Sequence, residues 1–160
     1  MFFNPGDESP KPILVLGTGN ILLSDEGAGV RCIERLSRFP IPEDVEMYDG
    51  GTAAMDLLDV ISGREKMFIL DAVHGGDEPG MIYRFRPEDI KTEQKIDISF
   101  HQMGLMEILN LAKYHDAMPK DIIIYGIQPG SMAPGFELTP AVDKAVNRVV
   151  EMMKEELGIK

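Results

Sequence analysis

Apolar residues along this chain fall into two patterns that alternate from its amino to its carboxyl end. Five short runs are apolar almost without a break: ILVLG (Ile13 to Gly17), VEMYD (Val45 to Asp49), MFILDA (Met67 to Ala72), MIYRF (Met81 to Phe85) and DIIIYGI (Asp121 to Ile127). Runs of this length suit strands covered on both faces, as in a parallel sheet. Between them the apolar residues recur at helical spacing. Over 27–38, Val30, Ile33 and Leu36 share one side; over 53–61, Ala54, Leu57, Leu58 and Ile61 do, with Thr52 as N-cap and Gly63 just past the end. Residues 102–113 repeat the pattern through Leu105, Ile108, Leu109 and Ala112. A last helix has Thr139 as N-cap and Pro140 in its first position, and turns Val142, Val146, Val149, Val150 and Met153 inward.

This alternation, with short connections, predicts a three-layer α/β/α sandwich around a mostly parallel, twisted sheet of about five strands. MIYRF follows MFILDA so closely that it is expected as an antiparallel edge. Residues 13–160 are expected to form a single domain behind a flexible extension over 1–12. The acidic, glycine-rich stretch VHGGDEPG (Val73 to Gly80) is expected to be mobile.

Composition narrows the function. A formal charge of −11 and a sequence pI near 4.6 argue against nucleic acid or an anionic membrane surface as partner and favour cations, metals and basic partners. A lone cysteine, Cys32, forms no internal disulfide and belongs to no CxxC site; it reads as a small buried helix residue in a cytoplasmic protein. The opening MFFNPGDESPKP lacks the apolar core of a signal peptide, and no run has the roughly 18 apolar residues of a membrane span.

The segment LGTGNILLSDEGAGVR (Leu16 to Arg31) lies where the first strand passes into the first helix. Its glycines suggest a phosphate loop, but the GxGxxG spacing fails at Leu22, and Asp25 and Glu26 stand where a phosphate would sit. As an isolated pair, Asp25 reads as a helix cap and Glu26 as a first-turn acid. The other strand ends widen the choice. Asp49 ends the second strand before GGT, Asp71 ends the third, and His101 precedes the third helix in SFHQMGL.

If the strands are parallel, Glu26, Asp49, Asp71 and His101 all come to one sheet edge, where two carboxylates and an imidazole suit a borderline divalent cation such as Ni²⁺ or Zn²⁺. Each has a plainer reading too. Asp49 can cap the turn into Gly50 and Gly51, Asp71 can hold a buried hydrogen-bonded partner, and His101 can be a turn residue. His74 and His115 read as loop or surface residues, though His74 is three residues from Asp71. Neither HExxH nor GxSxG is present.

The blocks ILVLGTGNILLSDEGAGVR, DGGTAAMDLL, ILDA, HQMGL and IQPGSMAPGFELTPAV, in this order and spacing, closely resemble the nickel-iron hydrogenase maturation endopeptidases over nearly the whole chain. The resemblance implies a protease that removes a carboxyl-terminal extension from the hydrogenase large-subunit precursor after nickel insertion. It places Glu26, Asp71 and His101 on the family's metal-contacting residues, and Asp49 on an acid associated with cleavage or recognition. Glu26, Asp49 and Asp71 are thereby the candidate catalytic acids. The expected metal is Ni²⁺ carried by the precursor, either as a recognition handle or, in the alternative, as an ion that itself activates water and polarises the scissile carbonyl, with other divalent ions able to substitute. Hydrogenase maturation chaperones are further candidate partners. The alternative is a nickel-binding chaperone or sensor that cuts nothing. A phosphate-binding enzyme is a third reading, disfavoured by the acidic first loop.

Overall fold

The computed structural model describes residues 9–51, 57–90, 99–100 and 103–160, with α3 described by its backbone alone as far as 108. The elements follow in the order β1 (Ile13–Thr18), a 3-10 turn (Ser24–Gly27), α1 (Ala28–Leu36), β2 (Val45–Gly51), α2 (Leu57–Ile61), β3 (Lys66–His74) and β4 (Ile82–Phe85). A second 3-10 turn (Pro87–Ile90), β5 (Ser99–Phe100), α3 (Met103–Tyr114), β6 (Asp121–Ile127) and α4 (Pro140–Leu157) complete the chain. The proposed N-cap Thr52 lies outside the described residues. Gly63, just past α2, adopts φ +79, as a helix-ending glycine should.

The main path of the sheet runs β2-β1-β3-β6-β4. β1, β2, β3 and β6 are parallel, and β4 pairs antiparallel with β6 at the edge. The expected antiparallel edge is therefore present. The two-residue β5, which carries no apolar run to announce it, pairs antiparallel with β3 through Val73 opposite Phe100 and His74 opposite Ser99.

Strand alternation sends successive side chains to opposite faces. Val15, Phe68, Leu70, Ile123 and Tyr125 pack under α1 and α4, while Leu14, Leu16, Met67, Ile69, Ile122 and Ile124 pack with Leu57 and Ile61 of α2 and Leu109 of α3. The helix periodicity reads correctly: Val142, Val146, Val149, Val150 and Met153 are all at most 5% exposed. At roughly 1.5–3 kcal/mol for each such burial, they far outweigh the ~1 kcal/mol of a side-chain N-cap, which Thr139 does not supply to α4.

Strand order reverses between β1 and β3, since β1 leads outward to β2 and the rest of the sheet lies on the other side. In open α/β sheets the crevice beyond the carboxyl ends at such a reversal is where ligands bind. α1 reaches this point by very close packing. A Cβ on Gly29 would collide with the backbone carbonyl oxygens of Leu70 and Thr18, and one on Gly17 with Ile33 and the Gly29 carbonyl.

The opposite end of the sheet is tied by polar contacts. Arg64, buried, donates to the carbonyls of Val60 and Lys11 and pairs with Glu46, and the Pro12 carbonyl accepts from the amides of Glu65 and Lys66. The stretch preceding β1 is thus fastened at Lys11 and Pro12. The 73–80 stretch is fastened as well, contrary to its glycine content. Gln128 accepts from the Gly75 amide through Oε1 (2.8 Å) and from the Gly80 amide through its carbonyl (2.8 Å), and Tyr83 donates to Asp77 (2.7 Å).

Candidate active site at the carboxyl edge of the sheet

Two of the expected acids meet at the β1/β3 reversal. Asp71 lies one residue beyond the last β1 pairing of β3, in register with Gly126 of β6, and is 2% exposed. Glu26, buried in the 3-10 turn that leads into α1, is close enough for its charge to act on Asp71. Burial is the main cause that pushes the Asp71 carboxyl up to about 8, and Glu26 adds to it. The neighbouring Thr18 hydroxyl and the Ala72 amide, which donates to Asp71 Oδ1 at 2.8 Å, oppose the rise. Among the described residues, Asp71 Oδ2 and Thr18 Oγ1 are buried and neither makes a hydrogen bond of good geometry, the contact between the two groups included.

The glycine loop serves this turn and not a phosphate. Gly19 adopts φ +136, and a Cβ there would strike the Glu26 carbonyl oxygen. The loop backbone lies directly against the acidic turn, so the space a phosphate would need is filled by Glu26 itself.

The remaining candidates are less converged. Asp49 lies two residues before the end of β2, in register with Gly17 of β1 and at the same end of the sheet. It is exposed, and its Oδ1 accepts the Gly51 amide at 2.9 Å, which is the turn role its sequence context suggests. His101 lies outside the described residues; β5, the element before it, pairs with β3 just past Asp71. His74 ends β3 an odd number of residues from Asp71 and so projects to the opposite face. His115 is exposed and stacks edge-on with Tyr114.

Asp25 departs from its expected role. It caps neither its own 3-10 turn nor α1; its fully buried carboxyl group reaches across to the segment between β6 and α4. Cys32 is buried in α1, and burial pushes its thiol up to about 12.

The family profile HycI, hydrogenase maturation protease, matches residues 30–156. The chain belongs to the hydrogenase maturation protease family. This hydrogenase maturation protease is 39% identical to the hydrogenase 2 maturation protease of Escherichia coli K12, over 88% of this chain and 87% of that one. It is 35% identical to the hydrogenase expression/formation protein HupD of Bradyrhizobium diazoefficiens, over 96% and 82% of the two chains. Its fold superposes on the E. coli hydrogenase maturating endopeptidase HybD with a TM-score of 0.80 at 35% identity, covering 92% of this chain and 94% of that one. The [NiFe] hydrogenase maturation protease HybD of Thermococcus kodakarensis follows at 0.77 and 26%, covering 91% and 98%.

Sequence reasoning about this protease missed Thr18, which shares the Asp71 face of the sheet. Its place directly after ILVLG was the available signal. It also missed the partners of Asp25, which lie 105 to 114 residues away and leave no local trace.

Proposed function

We propose that this endopeptidase removes the carboxyl-terminal extension of a nickel-iron hydrogenase large-subunit precursor after nickel insertion, and that the precursor's own nickel is the recognition handle. The observation that carries this reading is the Glu26–Asp71 pair: two buried acids at the sheet's reversal, one with an oxygen that no described residue satisfies. A buried carboxyl of this kind costs free energy unless paired, and a divalent cation pairs with both at once. Oxygen donors joined by an imidazole suit a borderline metal, and His101 is the residue assigned to complete the set.

In this reading the nickel is part of the substrate and supplies a fixed charge by which the precursor is held. Glu26 and Asp71 receive that charge, and Asp71 gives up its proton on doing so, since a ligating carboxyl must be ionised. Holding the metal-bearing end of the precursor places the scissile bond by proximity. Asp49, exposed at the same edge, is assigned to contact with the segment being cut. Among the described residues no helix is long and apolar enough to cross a membrane. A cytoplasmic setting and docking with hydrogenase maturation chaperones belong to the same proposal.

The test is mass spectrometry of a hydrogenase large-subunit precursor incubated with this protein, nickel-loaded and nickel-free in parallel. Shortening of the loaded precursor alone is the expected result. Equal shortening of both would remove the metal handle. An intact chain in both, with a verified cognate precursor, would favour a nickel-binding chaperone.

A further inference from the structure

The Asp25 carboxyl group is fully buried and accepts four hydrogen bonds from one distant segment: from the amides of Gly130 (2.8 Å), Ser131 (2.9 Å) and Thr139 (2.8 Å) and from the Thr139 hydroxyl (2.8 Å). The Asp25 amide donates back to the Ser131 carbonyl at 3.0 Å. The same two segments are laced further along. The Ser24 amide donates to the Gly135 carbonyl, the Ser24 hydroxyl to the Ala133 carbonyl, and the Gly135 amide to the Leu22 carbonyl. Ser24 itself sits at φ +51, in the left-handed region that non-glycine residues enter only when their surroundings impose it.

The residue after Asp25 is Glu26. We propose that Asp25 is a positioning residue, holding Glu26 toward Asp71 by tying the Ser24–Gly27 turn to the segment that leads into α4. This rests on the reading of Glu26 as a metal contact. The bonds are well placed for it. A carboxylate accepting four donors fixes both the position and the rotation of the turn, and charge-assisted bonds are about twice as strong as neutral ones. α4 also has support of its own, because its buried face packs against the sheet and α1. Replacing Asp25 is therefore expected to loosen the turn before the sandwich.

The experiment is calorimetry of Ni²⁺ alone with the full chain and with Asp25→Asn, Thr139→Val, Thr139→Ser and Glu26→Gln, each checked for its fold by circular dichroism. In Asp25→Asn an amide NH₂ replaces an acceptor oxygen and meets donors. Ni²⁺ affinity is expected to fall by about 10- to 100-fold, the usual loss when a group that orients a ligand is removed. Thr139→Val, which loses only the hydroxyl, falls less, and Thr139→Ser, which keeps both donors, binds as the parent does.

A folded Asp25→Asn with parental affinity, alongside a weakened Glu26→Gln, overturns the positioning role and leaves the Glu26 reading standing. Parental affinity in Glu26→Gln overturns the reading itself, and the positioning proposal with it. Should Asp25→Asn fail to fold, Thr139→Val decides: weakened binding in a folded protein, restored in Thr139→Ser, supports the proposal, and unchanged binding overturns it.

Discussion

Glu26 and Asp71 are two acids brought together in a buried place, where burial does most to keep a proton on Asp71 and the charge of Glu26 adds to it. A protein gains nothing in stability from that arrangement.

The cost has a pH dependence with a definite sign. The Asp71 carboxyl titrates at about 8 in the folded chain against 3.8 ordinarily, so between those values the folded state keeps a proton that the unfolded state has released. Raising pH across this window lowers stability, and the penalty is complete above about 8. In metal-free protein Asp71→Asn should therefore be more stable than the parent near pH 8, by roughly 1–3 kcal/mol for a buried unsatisfied group, and equal to it near pH 4. Melting curves of both proteins that run parallel over this range would contradict the assignment.

Precursor processing should respond in the opposite sense. Glu26→Gln, isosteric and uncharged, is expected to stay folded and to lose cleavage of the nickel-loaded precursor. Normal shortening by a folded Glu26→Gln, followed by mass spectrometry, would remove Glu26 from the site.

His101→Ala gives an independent reading of the ligand set. Ni²⁺ affinity is expected to drop by an order of magnitude or more when a borderline-metal donor is deleted. Calorimetry with no change would take His101 off the list.

The close seat of α1 predicts a large effect from one methyl group. Gly29→Ala gains about 1 kcal/mol in helix propensity, but its Cβ meets two backbone carbonyls that cannot rotate away. Overpacking of this kind costs typically about 1–3 kcal/mol, so the clash should win and the melting temperature should fall by about 2–8 °C. A rise would mean that α1 can shift outward without loss.

Cys32 should behave as packing. With its thiol pushed up to about 12 by burial, it should resist iodoacetamide at neutral pH in the folded protein and react on unfolding. Rapid native labelling, read by intact mass, would show that α1 opens.

Much of this was legible in advance, for reasons that differ by residue. ILVLG, MFILDA and DIIIYGI are apolar at every step because both sheet faces are covered, so strands and sheet type could be read directly. Asp71 stood out because an acid ending such a run has to be buried or paired. β5 was invisible, since two residues make no pattern. Asp25 was misread because local rules assign an acid at a helix start to capping, whereas its donors come from a segment more than a hundred residues away. VHGGDEPG carries a restraint that its glycines do not announce, since Gln128, a single residue after β6, bonds near both ends of the stretch.

The close approach of main chain to main chain at Gly19 and Gly29 reaches beyond packing. With Gly19 against the Glu26 carbonyl and Gly29 against Leu70 and Thr18, the turn carrying Glu26 has main chain directly on its flanks and little room to explore other shapes. The conformational entropy of ordering that acid is lost once, when the chain folds, and not again at each encounter with a precursor. Preorganisation of this sort makes a recognition step tighter and more selective without adding a single contact.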